Sequence, residues 1–417
     1  VSLSSRRKYM LLLFKKRFRS LLISILIIVL IFLLSIISSK YPITKFILYR
    51  NLTCTISTVN VSSILKKKEK LFEIPNNSDY LVVSYRSFIL RTSIGCIGSK
   101  NVFKIPKEDY SKFHPSYSKY LNGTFSYLLP NENITYNDID NFYFNLTNDK
   151  RLKVPLNMSF VPNSTFTNIP YLYRNGMWEP AEVISSQRTA ILVPLQGRDY
   201  NAKTFLFNMH AFLRRQLLTY AIYFVNQIYP LDRFNKGRLY NLAIKYIRRH
   251  SSEKNITCFI LHDVDLLPEH DQNFYICETN PKHTTSRIRK AKGTKYAINY
   301  EFLIGGVLML TFEQYMLING FSNQYWNWGG EDDDVSLRII HKEMCVVRPP
   351  LEHAKYISLP HLGQKPNLKR FELLRWTTLR MSIDGYSNID KYAQIVKAKQ
   401  DFAAVFLDAA LTQISVD

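Results

Sequence analysis

Between Thr189 and Leu261 the sequence alternates short apolar stretches with longer amphipathic ones, and this restricts the fold more than any other feature. The periodicity predicts a strand over 189–194, a helix over 202–218, a strand over 220–226, a helix over 237–249 and a strand over 258–261. A β-α-β-α-β order is satisfied when helices cross over the faces of a sheet, so the expected class is α/β, a mostly parallel sheet flanked by helices. In such sheets ligands bind beyond the carboxyl ends of the strands. His262-Asp263-Val264-Asp265 lies at such an end.

Upstream, the pattern is of another kind. Arg6, Arg7, Lys8, Lys15, Lys16, Arg17 and Arg19 precede Leu21–Ile37, an apolar run without a charged residue. With its serine margins it approaches the roughly 17 to 20 residues a bilayer-spanning helix needs, and its shortness suits a thin early-secretory membrane. Basic residues stay on the cytoplasmic side. A cleaved signal peptide is the rival, but no small-x-small pattern follows in Ser38-Ser39-Lys40-Tyr41-Pro42. The expected organisation is a cytoplasmic tail (1–19), a transmembrane signal anchor (20–39), a luminal glycosylated stem (40–173) and a catalytic domain (174–417), a single-pass type II protein of the Golgi membrane. Sequons at Asn51, Asn60, Asn76, Asn122, Asn133, Asn145, Asn157, Asn163 and Asn255 all follow the anchor, which supports that topology. Within the stem, Tyr80–Tyr85 and Phe88–Leu90 read as strands.

The formal charge of +22 sits densest in the tail, at Lys66–Lys70 and at Arg287–Lys295. A topology signal, a stem and a solvated loop account for these, so no nucleic-acid partner is expected. Five cysteines without paired C-x-x-C spacing exclude a disulfide scaffold and a structural zinc site. With 46% hydrophobic residues over 417 positions, the chain has material for one or two cored domains.

Chemistry concentrates at two places. Asp263 and Asp265, two apart beyond a strand, can reach one divalent cation bridging a diphosphate, for which hard oxygen ligands suit Mn²⁺ or Mg²⁺. Tyr325-Trp326-Asn327-Trp328-Gly329-Gly330-Glu331-Asp332-Asp333-Asp334 joins indoles, glycines and acids. Indoles offer flat faces to sugars, glycines admit close approach, and carboxylates accept hydroxyl protons. A solvated acidic helix start would explain the acids alone and leave the Trp and Gly residues without a role. A luminal α/β domain carrying both clusters points to sugar transfer from a nucleotide.

Val193-Pro194-Leu195-Gln196-Gly197-Arg198, Phe234-Asn235-Lys236-Gly237, Asp263-Val264-Asp265, Gly305-Gly306-Val307, Ile318-Asn319-Gly320-Phe321, Tyr325 to Asp334, Arg348-Pro349 and Asp384-Gly385, in this order, resemble the catalytic domain of the β1,4-galactosyltransferase family. The resemblance runs from Thr189 to Asp417 and implies a GT-A-like, nucleotide-sugar-binding domain working by single inverting displacement. It implies Asp332 as catalytic base with Glu331 in support, and Asp265, His361 and Ser358 as ligands of Mn²⁺, with Mg²⁺ admitted. Pro194, Arg198, Phe234, Lys236, Asp263, Val264, Leu303 and Trp328 fall on the donor side. Tyr300, Gly330, Asp332, Asp333, Arg370, Phe371 and Leu374 fall on the acceptor side and imply a terminal GlcNAc. A disulfide between Cys258 and Cys277 is implied too, with Cys345 as a buried free thiol.

One position bears on the donor, UDP-GalNAc or UDP-Gal. Leu303 stands where vertebrate members carry a Tyr that excludes a 2-acetamido group, and so resembles members transferring GalNAc. Gln196, Gly197, Lys236 and Ser358 depart from the family's usual residues, which keeps an inactive lectin-like member as an alternative.

Overall fold

The computed structural model describes residues 81–83, 114–121, 123–130, 132–148, 169–174, 176–250, 255–298 and 303–412. The expected anchor and the strand at Phe88–Leu90 lie outside them. Among the described residues no helix is long and apolar enough to cross a membrane.

The chain runs through β1 (Leu81–Val83), α1 (Tyr136–Asn148), β2 (Tyr171–Arg174) and β3 (Met177–Pro180). It then enters β4 (Arg188–Leu195), α2 (Asp199–Arg215), β5 (Thr219–Tyr229), α3 (Lys236–His250) and β6 (Cys258–His262). These five elements are the predicted alternation. There follow β7 (Leu266–Pro268), β8 (Lys282–His283), β9 (Arg287–Lys290), β10 (Ala297–Ile298), β11 (Val307–Thr311) and α4 (Phe312–Leu317). The last are α5 (Glu331–His341), β12 (Val346–Arg348), β13 (Lys355–Ser358), α6 (Arg370–Arg375), α7 (Thr377–Arg380), β14 (Ala393–Gln400) and β15 (Val405–Leu411).

The main sheet has the order β1-β12-β8-β11-β6-β4-β5-β15-β14, with β2 and β3 attached beside β5. Its centre, β6-β4-β5-β15, is parallel, as expected. The sheet as a whole is mixed rather than mostly parallel, because β11, β14, β1 and β3 pair antiparallel with their neighbours. A parallel pair needs a long crossover, and α2 and α3 provide it only between β4, β5 and β6; β14 and β15 join through a short turn that forces an antiparallel return.

Strand alternation sorts the core onto two faces. Ile191, Val193, Ile222 and Phe224 pack with Phe205 and Phe212 of α2. Ala190, Leu192, Ala221 and Tyr223 pack with Leu239, Ala243 and Ile247 of α3. The α2 face also buries Ile139 and Tyr143 of α1. Part of the segment expected as stem thus packs on the sheet: Leu128 N–H donates to Asn208 Oδ1 at 2.7 Å and Tyr143 Oη donates to the Phe207 carbonyl. Sequence carried the signal as Thr135 and Asp138, whose side chains cap each other's backbone N–H groups at the start of α1. The strand expected at Tyr80–Tyr85 is present as β1 and extends the sheet edge against β12.

Cys258 and Cys277 form the implied disulfide. Cys345 is not the expected buried thiol: it is half-buried and disulfide-bonded, with its partner outside the described residues.

Candidate active site

The carboxyl ends of β4, β5 and β6 open onto a cavity of about 260 Å³. Each strand delivers residues to it. Beyond β4 lie Gln196 and Arg198, beyond β5 lie Phe234 and Lys236, and beyond β6 lie Asp263, Val264 and Asp265; Pro194, near the end of β4, also faces it. Because β11 pairs antiparallel with β6, Val307 opposite His262, the amino end of β11 meets the carboxyl end of β6 and brings Gly305 there. A Cβ on Gly305 would fall within 3.0 Å of Asp332 Oδ2, so only glycine lets this carboxylate approach the sheet edge.

Asp332 reaches the cavity because the loop before it turns back sharply. Asn327, Gly329 and Gly330 all have left-handed backbone, and Gly330 begins α5 with φ of 95°. The four acids expected in the motif form the first turn of α5 and divide between two sides. Glu331 and Asp332 face Lys236, whose Nζ lies 2.9 Å from each and 3.6 Å from Asp263. Asp334 points inward, to Arg338 at 2.5 Å and Arg380 at 2.8 Å, and accepts from Tyr325 Oη and Thr377 Oγ1. Asp334 thus has counter-ions of its own, whereas Glu331 and Asp332 share Lys236.

Burial would lower the Lys236 pKa, but Asp263, Asp332 and Glu331 outweigh it and hold the ammonium well above its usual range. Burial pushes Asp332 up to about 8, against the pull of Lys236 and with the added repulsion of Glu331 and Asp263. One cation is shared among three carboxylates, so it cannot keep all of them ionised. Asp263 is likewise raised, first by burial.

Across the cavity, Asp265 gathers the other group. Its Oδ2 lies 3.2 Å from His361 Nδ1 and accepts from Ser358 Oγ at 3.3 Å, and Arg198 Nη1 lies 3.4 Å from its Oδ1. Ser358 is held there by pairing with Leu266 at the end of β13. Among the described residues no three His, Cys, Asp or Glu side chains form a metal-holding group; this cluster has two, with a hydroxyl beside them.

The two indoles separate. Trp326 is half-buried between the guanidinium groups of Arg233 and Arg238, 4.8 and 4.6 Å from its ring, and belongs to the core. Trp328 is 59% exposed at the cavity. Its backbone joins the segment after His361, donating to Lys365 O and accepting from Asn367 N–H. Arg370 lies over both Trp328 and Phe371, and a Cβ on Gly330 would meet the Arg370 side chain. Leu374 is buried with Tyr325 and Leu337 beneath this wall. Asp333 is half-buried on α5 outside the cavity lining, and Leu303 is half-buried with its carbonyl held by Arg348 Nη2 at 2.5 Å. Tyr300 lies outside the described residues.

Sequence reasoning missed Asn327 and Gln364, which line the cavity. It read Gln196 only as a departure, whereas its amide donates to the carbonyls of Pro230 and Arg233 and fixes the loop that presents Phe234. It also missed Arg338 and Arg380, although each lies four residues from an acid it pairs with, Asp334 and Asp384, a spacing that sequence displays.

Two consecutive stretches match known families: residues 146–278 match the N-terminal region of glycosyl transferase group 7, and residues 285–362 the N-terminal domain of galactosyltransferase. β-1,4-Galactosyltransferase 5 of Sus scrofa is 31% identical over 336 residues, covering 76% of this chain and 84% of the relative. β-1,4-Galactosyltransferase 3 of Bos taurus is 36% identical over 243 residues, and this match spans 56% of the chain and only 60% of the relative. A solved catalytic domain of Drosophila β1,4-galactosyltransferase 7, bound to xylobiose, aligns with a TM-score of 0.46 and 27% identity over 55% of this chain and 95% of that one. With about three quarters of its length aligned to a relative of this kind, the chain belongs to the β-1,4-galactosyltransferase family.

Proposed function

We propose that the protein is an inverting, metal-dependent glycosyltransferase that moves GalNAc, with Gal as the competing donor sugar, from UDP to the 4-hydroxyl of a terminal GlcNAc. The observation that carries this reading is one cavity with a carboxylate base, Asp332, on one wall and the Asp265–His361 pair on the other. The names of the relatives support the sugar chemistry.

The residues fit a divalent cation. Lys236 and Arg198 supply two positive charges against Asp263, Asp265, Glu331 and Asp332, so two negative charges remain uncompensated when all ionise. His361 Nδ1 and Ser358 Oγ both lie within 3.3 Å of Asp265 Oδ2, so three side chains with metal-ligating atoms converge at one point of the cavity edge. Asp265, His361 and Ser358 would hold Mn²⁺ or Mg²⁺, which when bound neutralises the leaving diphosphate.

The chain's own groups do the rest. Arg198 stands beside the diphosphate end of the cavity and Trp328 offers its exposed indole to a sugar. Asp332 takes the proton of the acceptor hydroxyl as that oxygen attacks the anomeric carbon from the face opposite UDP, and the configuration inverts. Arg370 and Phe371 form the wall against which the acceptor rests. A binding-only protein would have no need of a base and a metal-fitting pair in one cavity. A Golgi membrane, type II orientation and luminal acceptor glycans complete the proposal, supported by the apolar run and the one-sided sequons.

Two expected results follow from this site. Because Asp332 must be ionised to accept a proton and burial raises it to about 8, kcat/KM rises with pH through that region. Lys236 pulls Asp332 down, so Lys236→Met moves the rising limb to higher pH; a pH–rate profile with the limb unmoved contradicts the assignment. Leu303→Tyr adds ring volume and a hydroxyl at a position that the family resemblance, rather than the cavity lining, assigns to the donor side, and is expected to swing the ratio of UDP-GalNAc to UDP-Gal use toward Gal by roughly 1 to 3 kcal/mol. Competition assays with both donors measure it, and an unchanged ratio removes Leu303 as the selector.

A further inference from the structure

A second cavity, of about 440 Å³, opens at the opposite edge of the sheet, where β4, β5 and β6 begin. Arg188 and Thr219 start their strands there, and Thr257 directly precedes β6. Its charged lining balances: Arg174 and Arg188 face Glu179 and Glu182, and Arg188 is already paired with Glu179 at 2.9 Å. A nucleotide or another anion would find no excess of cations here. Ile184 lies 70% exposed on the rim. A lining without excess charge beside exposed aliphatic surface suits a neutral sugar, whose ring faces present C–H groups.

The rim also supplies a tether. Asn255-Ile256-Thr257 is a sequon, Asn255 lines the cavity, and its side chain is exposed on a left-handed backbone that Asn tolerates. We propose that Asn255 carries an N-linked glycan whose innermost hexosamines lie in this cavity, against Ile184. In the modification, the Asn255 amide nitrogen bonds to C1 of a lipid-diphosphate-linked oligosaccharide; the C1–O bond to phosphate breaks, the lipid diphosphate leaves and the amide proton passes to a base. Attachment makes the later contacts intramolecular, so the high effective concentration lets weak contacts suffice. The glycan covers the edge of the sheet away from the catalytic cavity and leaves that cavity open. The inference rests on the luminal reading of the chain.

The test uses the full chain expressed through the secretory pathway of animal cells, mapped by glycopeptide mass spectrometry, with the exposed Asn133 sequon as internal comparator. Asn255 is expected to be occupied, and native peptide-N-glycosidase is expected to release its glycan about tenfold more slowly than that of Asn133, a difference that denaturation abolishes. Ile184→Ser, which changes only an exposed side chain and keeps the sequon, is expected to speed release at Asn255 alone. A bare Asn255 in a chain glycosylated at Asn133 overturns the site. Release at the rate of Asn133, unaffected by Ile184→Ser, overturns the docking in the cavity. Absence of glycan at every sequon overturns the luminal reading itself and this inference with it.

Discussion

Asp332→Asn is expected to lower turnover by about 10²–10⁴-fold, the contribution of a positioned general base, while donor binding measured by calorimetry changes little. The substitution keeps the shape of the side chain and removes only its ability to take a proton. Its neighbours make this a clean test. Lys236 retains Glu331 and Asp263 as partners, and the space that Gly305 leaves for the side chain is unaltered. A variant with near-native turnover would place the base elsewhere. Loss of donor binding would make Asp332 a donor ligand instead.

The second large effect is on stability. Arg338→Met is expected to cost about 3–5 kcal/mol, because it strips the fully buried Asp334 of a guanidinium and leaves its carboxylate undercompensated. Arg338 also lies 3.7 Å from Asp384 and donates to the carbonyls of Gly320 and Asp384, so one side chain ties α5 to the Ile318–Phe321 turn and to the Asp384-Gly385 turn. A cost of that size corresponds to a fall in Tm of roughly 10 °C, readable by calorimetry. Arg249→Met, at an exposed pair with Asp390, is expected to cost under about 1 kcal/mol and serves as the control. Equal shifts in the two variants would show that the buried network does not hold the acidic turn.

The role of that network explains which parts of the protein were legible in its sequence. The β-α-β-α-β core was readable because each element is governed by local periodicity: β4 is one residue longer than predicted at each end and β6 at its carboxyl end, while α2 begins three residues earlier and ends three earlier. The antiparallel flanks were not, since β11 pairs with both β6 and β8 through contacts between distant segments that no window of sequence contains. Within the site, Asp265, His361, Ser358 and Asp332 were nameable from motif resemblance, and the structure brings them to one edge of the sheet. Trp326 and Trp328 look alike in sequence, yet Arg233 and Arg238 claim the first for the core and leave the second exposed. Arg380 pairs with Asp384 four residues on, a spacing that sequence shows, but its ion pair with Asp334 depends on folding that sequence alone does not show. The same holds for α1, whose Asn-rich composition suggested a stem although its Ile139 and Tyr143 are fully buried.

The central claim is that one cavity performs metal-dependent sugar transfer to GlcNAc. Purified protein incubated with Mn²⁺, a GlcNAc-terminated acceptor and either UDP-GalNAc or UDP-Gal tests it directly, with the product linkage read by NMR. The expected product is a β1,4-linked disaccharide terminus that is lost on chelation and formed faster from UDP-GalNAc. No product from either donor would contradict the enzymatic reading; product that persists after chelation would contradict the role given to Asp265 and His361.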